Sequence, residues 1–443
     1  MKQYAEAFTA FNRDAENGWL KSQRIAAFAR FEFLGFPTSS VEYWKYTDTK
    51  ALAKREFKLA TSYNQSAAAE LFANKGLKLD AYRLAFVDGL LSPELSNLED
   101  LQEAVVIEPL SQALATELEL TCGMMGRLAG IDIDVFTALN FAFVNEGAVV
   151  RIGNNQKLNK PLLITYLSMA NDAAVMSHPR IIVAAGANSE LQLIEHFIGE
   201  EDAQNLTNRV VEGIMERNAK IHHTLLQQPS DKEWWIGRIQ VDQKRDSRYT
   251  SHQMNLGGKL VRDDLVCDLN GTGAECDFSG LLFGRNRQHL DIHTLVNHNA
   301  ALTNSYETYK TILNDRSSGV FNSKVIVKKD SQKIHAVQNN GNLLLSDQAL
   351  INAKPELEIF ADDVKCAHGA TTGQLDMDAL FYLMARGINE QEARGLLTLA
   401  FANEVIDKLE LPEIYNLVET AVAGQLPHKI ELDLMQWTNQ PMT

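Results

Sequence analysis

The sequence predicts a mainly β chain with helical ends. Three observations carry this. Short apolar alternations follow one another from about residue 140 to 350, as in VVRIG, LLITYL, RIIVAA, WWIGRIQV and KVIVKK, with Gly, Asn and Asp between them. No proline occurs between Pro229 and Pro355, which suits backbone N–H groups committed to sheet ladders. On either side, apolar residues recur at helical spacing instead.

Taken in order, residues 1–135 read as a mostly helical region. Leu20, Ala27, Phe28, Phe31 and Leu34 share a helix face, and Gly35 and Pro37 stop that helix. RLAFVDGLL, at 83–91, reads as a strand and turn about Asp88-Gly89. Residues 136–352 form the β core. Strands this short and numerous allow a sandwich, a barrel or a solenoid. Hairpin dipeptides are few, Asn340-Gly341 being the clearest, and Asn339, Asn340 and Asn342 cluster. Stacked Asn and apolar ladders favour a β-helix, although no crisp repeat is visible. Residues 353–443 return to helix. Asp376 caps a helix with Leu380, Phe381 and Met384 on its apolar face. Gly387 ends it, and Asn389 with Glu392 opens another carrying Leu396, Leu397, Ala400, Phe401, Val405 and Leu409. Residues 412–424 offer one more short helix.

Composition narrows the function. The chain has 443 residues, 45% hydrophobic and 22% charged, as expected of two to four globular domains. Its formal net charge of −15 makes nucleic acid and anionic membrane poor partners. Four cysteines without CxxC spacing are no disulfide framework, and no window approaches the roughly 18 apolar residues of a membrane span. The opening MKQYAEAFTAF lacks the apolar core of a signal peptide. A reducing, cytoplasmic compartment is expected.

The segment ADDVKCAHGATTGQLDM, residues 361–377, is the most informative. It sets Cys366 two residues from His368, so both point to one face of an extended strand. Thiolate and imidazole suit iron, zinc or iron–sulfur clusters, but a closed site needs about four ligands, so others must come from elsewhere in the chain or from a second protein. The commoner fate of such a pair is a buried Cys and a hydrogen-bonded His. His289, Asp291 and His293 also share a strand face, where a solvated polar ladder is the plainer reading than a metal site; His298 follows them. Adjacent His222 and His223 point to opposite faces and cannot chelate together. Cys267 and Cys276 are expected to be buried. Trp234-Trp235 should give one core ring and one exposed or interface ring. No phosphate-binding loop, nucleophile elbow or HExxH occurs. A β-helix carbohydrate-active enzyme would need paired carboxylates, and Asp362-Asp363, the nearest pair, point apart. The pattern fits a non-catalytic scaffold or binding protein.

DIHTLVNH, YKTILNDRSSGVFNSKVIV, AVQNNGNLLLS, ADDVKCAHGATTGQLD and LFYLMARGI, between Asp291 and Ile388, resemble the SufB/SufD family of iron–sulfur cluster assembly proteins. PTSSVEYWKYTDTKAL, with its E-x-WKYT core at Glu42 to Thr47, and FVDGLLSPELS resemble the SufD side of that family. A lone Cys366 after Cys276 favours that side too, since SufB-like chains carry further cysteines there. Ala367 and Thr372 depart from the usual Ser and Val without removing a ligand. The resemblance implies a right-handed parallel β-helix flanked by N-terminal and C-terminal helical domains. It implies a complex with SufB, paired through the β-helices, and with the ATPase SufC, received by the C-terminal helices. It also implies a transient iron–sulfur cluster at the SufB interface, with His368 as a ligand and Cys366 beside it, and reduced flavin in the complex. Neither cofactor is expected to bind tightly to the isolated chain, which could itself form a homodimer. The alternative reading is a SufB-like homodimeric scaffold that holds the cluster itself.

Overall fold

The computed structural model describes residues 2–13, 18–116 and 118–426. Its centre is a parallel β-solenoid of about 8 turns. Two sheets face each other across a lumen. One runs from Leu90–Leu91 and Tyr82–Val87 through Leu162–Ser168 to Ile334–Leu344 and Val364–Gly373. The other runs from Val105–Pro109 and Gly147–Ile152 to Ser318–Val327 and Leu350–Ile359. Pairing between coils is parallel; the antiparallel pairs, Tyr82–Val87 with Leu90–Leu91 and Val105–Pro109 with Gly147–Ile152, lie at the first end.

Local chemistry explains the coil. Alternation sends Leu265, Cys267 and Leu269 into the lumen, whose apolar filling extends from Tyr82 to Ala361. Corners need left-handed residues, and Asn155, Asn188, Asn218 and Asp246 take φ of 57 to 59° there. Three of them stack: Asn218 Nδ2 donates to Asn188 Oδ1 (3.0 Å) and Asn188 Nδ2 to Asn155 Oδ1 (2.8 Å). The Asn ladder therefore exists, but at these corners rather than at Asn339, Asn340 and Asn342. Asn340-Gly341 is no hairpin, since it lies inside Ile334–Leu344. Pro355 stands in Leu350–Ile359, the end strand of its sheet, where a missing N–H is tolerated.

Helices cover the two flanks. On the second sheet, Phe28, Phe31, Trp44, Phe136 and Phe143 pack over Val149, Ile182, Trp234 and Leu260. On the first, Leu399, Ala402, Val405, Ile406 and Val418 pack over Leu226, Met254, Leu281 and Ile312. The C-terminal helices Glu390–Ile406 and Pro412–Gln425 thus lie along the side of the solenoid. The strands run past 352, the expected end of the β core, and the first C-terminal helix, Met377–Ala385, begins after Gly373. Residues 427–443, assigned from sequence to the C-terminal helical domain, lie outside the described residues.

Several faces differ from expectation. Asp376 does cap its helix, accepting from the N–H groups of Asp378 and Ala379, but only Leu380 is buried there; Phe381 is 72% exposed and Met384 41%. In Glu390–Ile406 the buried face is Ala393, Thr398, Leu399, Ala402, Val405 and Ile406, while Leu396, Leu397 and Phe401 are half-buried and Ala400 is exposed. The sheet, not the helix's own periodicity, selects the face. Trp234 and Trp235 are both buried, Trp235 in the lumen and Trp234 beneath the N-terminal region.

Candidate functional site

The last coil, Leu350–Ile359 and Val364–Gly373, has a neighbour on one side only. Register sets its chemistry. Cys366 pairs with Ala336, the next step of a column through Ser305 and Cys276. His368 pairs with Gln338, above Glu307 and Phe278. Cys366 packs against the lumen core, so it faces inward. Alternation puts His368 on the same face, as its spacing predicted, yet the imidazole is exposed because no further coil among the described residues covers it. Neither of its ring nitrogens has a hydrogen-bond partner among the described residues. Burial raises the Cys366 thiol, against the Ala336 backbone hydrogen bond that lowers it, so a metal would have to displace its proton.

Beneath His368 lies a buried polar cluster of lumen residues that sequence reading missed. Thr294 Oγ1 (2.6 Å) and Ser323 Oγ (2.9 Å) donate to Glu307 Oε2, and Gln338 Nε2 donates to Ser323. Glu307 Oε1 and Gln338 Oε1 are buried without a partner. Burial outweighs the hydrogen bonds and pushes the Glu307 carboxyl up to about 7. The only signal for these residues is their distance of one and two coils from His368, which is readable only once coil length is known.

The other candidates are structural. His289, Asp291 and His293 lie on the outer face of the second sheet but are not solvated, because 42–47 covers them. Arg262 Nη1 (2.9 Å) and His293 Nε2 (3.0 Å) hold Asp291. Thr47 bonds both Asp291 and His289, and Tyr43 lies 5.2 Å from the His293 ring. Burial alone would raise the Asp291 carboxyl, but His293 and Arg262 hold it well below the usual range. His298 is buried, bonded through both nitrogens to Thr303 (2.7 Å) and Ser305 (2.9 Å). His223 is buried in the lumen, whereas His222 faces Glu410 outside. Cys267 and Cys276 are buried, Cys267 donating to Gln243. Asp362 and Asp363 lie in a bend before the last strand. No group of three or more His, Cys, Asp or Glu able to hold a metal occurs among the described residues. Cys366 and His368 alone therefore make no closed metal site among the described residues.

Comparison with known proteins bears on what this edge serves. Residues 167–401 match the SUF system FeS cluster assembly SufBD core domain, and residues 1–164 match the SufBD protein N-terminal region. The chain belongs to the SufBD family. This SufBD protein is 32% identical to an iron–sulfur cluster assembly SufBD family protein of Synechocystis over 92% of its own length and 91% of the relative's. It is 29% identical to iron–sulfur cluster assembly protein SufD of Escherichia coli (89% and 90% covered) and 25% to SufD of Bacillus subtilis (93% and 94%). Family membership makes it a scaffold-type protein of Fe–S cluster assembly. No helix among the described residues is long and apolar enough to cross a membrane.

Proposed function

We propose that this SufBD protein is a SufD-type scaffold subunit that pairs with SufB through its last coil and contributes His368 to a nascent cluster held between them. The observation that carries this reading is the uncovered last coil. Its free backbone edge can add strands from a partner, and Leu350 (57%), Ile359 (39%) and Phe360 (62%) lie exposed beside it. His368 presents an unpartnered imidazole at that edge, so iron there would be held by one or two ligands from this chain and completed by the partner. In a complex reconstituted with SufB and SufC, His368→Ala should lower cluster yield by about tenfold or more, since losing a ligand costs at least what losing an outer partner costs. Its urea midpoint should not move, because the side chain is exposed. Cys366→Ala should have the smaller effect. Wild-type yield from His368→Ala would remove this residue from the site. A cluster formed at full yield by the chain alone would favour the SufB-like homodimer.

The exposed face of the first C-terminal helix supports SufC docking there. Phe381, Tyr382 and Met384 are 72%, 57% and 41% exposed on Met377–Ala385, whereas the next two helices use their apolar faces against the sheet. Aromatic anchors of this kind supply about 2 kcal/mol or more when buried by a partner. Phe381→Ala with Tyr382→Ala should weaken SufC binding by roughly 30-fold or more, with the fold intact. Unchanged affinity would put the SufC site elsewhere.

A further inference from the structure

At one corner of the solenoid, where the chain passes from the first sheet to the second, an open cleft of about 780 Å³ runs along successive coils. Its walls come from the turns before Trp234, Leu260, His289, Ser318 and Leu350, with Arg55 entering from the N-terminal region. Five cations line it: Arg55, Lys232, Lys259, Arg287 and Arg316. The lining carboxylates are Asp231 and Asp315, in a chain whose net charge is −15. Such a concentration of positive charge is unexpected in so acidic a protein.

The carboxylates are engaged in shaping the turns. Asp231 accepts from Gln288 Nε2 (2.9 Å), Asn286 Nδ2 (3.0 Å) and Arg285 Nη2 (3.4 Å), and Asp315 accepts the Asn286 N–H (2.9 Å). Lys232 pairs with Asp202. The other four cations have no ion pair among the described residues. Arg55 and Arg316 bond only the neutral amides of Gln204 and Gln348. Lys259 Nζ lies 4.6 Å from the centroid of the Trp234 ring, with Arg55 on the same ring at 6.0 Å. Trp234 is itself buried, so it anchors cations and is not a stacking platform for a ligand.

We propose that this cleft is a binding site for a diphosphate-bearing small molecule. A concave site in which cations outnumber carboxylates focuses the field and draws a counter-ion, and its volume lies in the range of small-molecule sites. Lys259, Arg287 and Arg316 come from three consecutive turns. With coils about 4.8 Å apart they span roughly 10 Å, a reach that suits two linked phosphates better than one. Arginine also favours the planar, paired hydrogen bonding that phosphate oxygens accept.

The test is calorimetric titration of the full chain at near-physiological salt with inorganic phosphate, pyrophosphate and ADP. Wild type is compared with the double variant Arg287→Gln, Arg316→Gln and with Arg245→Gln, an exposed arginine outside the cleft. Saturable binding of pyrophosphate or ADP, weakened at least tenfold in the double variant and unchanged in Arg245→Gln, is expected. Tighter binding of ADP than of pyrophosphate would identify a nucleotide as the source, and the reverse a free diphosphate. No saturable binding, equal binding by the double variant, phosphate binding as tightly as pyrophosphate, or binding of hexaglutamate but not pyrophosphate would each overturn the proposal.

Discussion

Glu195→Gln should destabilise the chain by about 3–5 kcal/mol, the cost of leaving a buried charge without its partner. Glu195 lies fully buried in the lumen. It is bonded to Arg209 through both oxygens, to Tyr166 OH (2.9 Å) and to His223 Nε2 (2.7 Å); His223 Nδ1 in turn meets Tyr249 OH (2.8 Å). Burial on its own would raise this carboxyl, but the Arg209 guanidinium and the His223 hydrogen bond bring it down to about 2. A folded-state value below the unfolded one of about 4.3 means that the ionised group stabilises the fold above that pH. That contribution is lost as pH falls through about 2. Urea denaturation near neutral pH is the measurement. The double variant Glu195→Gln, Arg209→Met should regain part of the loss, because it removes both charges. A Glu195→Gln midpoint equal to wild type would mean that Arg209 is neutralised by some other group.

The second large effect is expected at the other side of the second sheet. Trp44→Ala should cost about 3–5 kcal/mol, as for a buried aromatic truncated to Ala. Trp44 is 5% exposed, with Arg262 stacked 4.0 Å from its ring centroid and Phe136 at 5.1 Å. With Thr47 on Asp291 and His289, and the Tyr43 carbonyl accepting from Arg262 (2.8 Å), it fastens the segment 42–47 to two successive coils. Limited proteolysis should therefore cut near this segment in Trp44→Ala while the far-UV spectrum of the solenoid persists. Protection equal to wild type would show that Thr47 and Tyr43 suffice to hold it.

Much of this was legible in the chain. Short apolar alternations and the missing proline reported the strands, because each strand must fill a lumen with every second residue. Cys366 and His368 share a face as spacing required. What escaped has physical causes. The E-x-WKYT run was recognisable as a motif, but its purpose rests on contacts 242 and 244 residues away, at His289 and Asp291, and nothing local announces them. The polar ladder was expected to be wet for the same reason. Phe381 and Met384 share an apolar face with Leu380 yet stay exposed, because periodicity reports which residues share a face and not whether a neighbour covers it. The repeat was invisible because it has no fixed length: Trp234 pairs with Leu260, 26 residues on, and Gly147 with Arg180, 33 on.

That variable length has an evolutionary consequence. The strands keep their pairing whatever the coil length, so gains and losses of residues fall at the corners. A few residues inserted there leave the lumen undisturbed, whereas one residue deleted within a strand would turn Leu265 or Cys267 outward. A chain of this architecture can therefore rebuild its corners, and any ligand cleft made from them, without moving the strand that bears His368. The solenoid separates the part of the chain that tolerates a change of length from the part that does not.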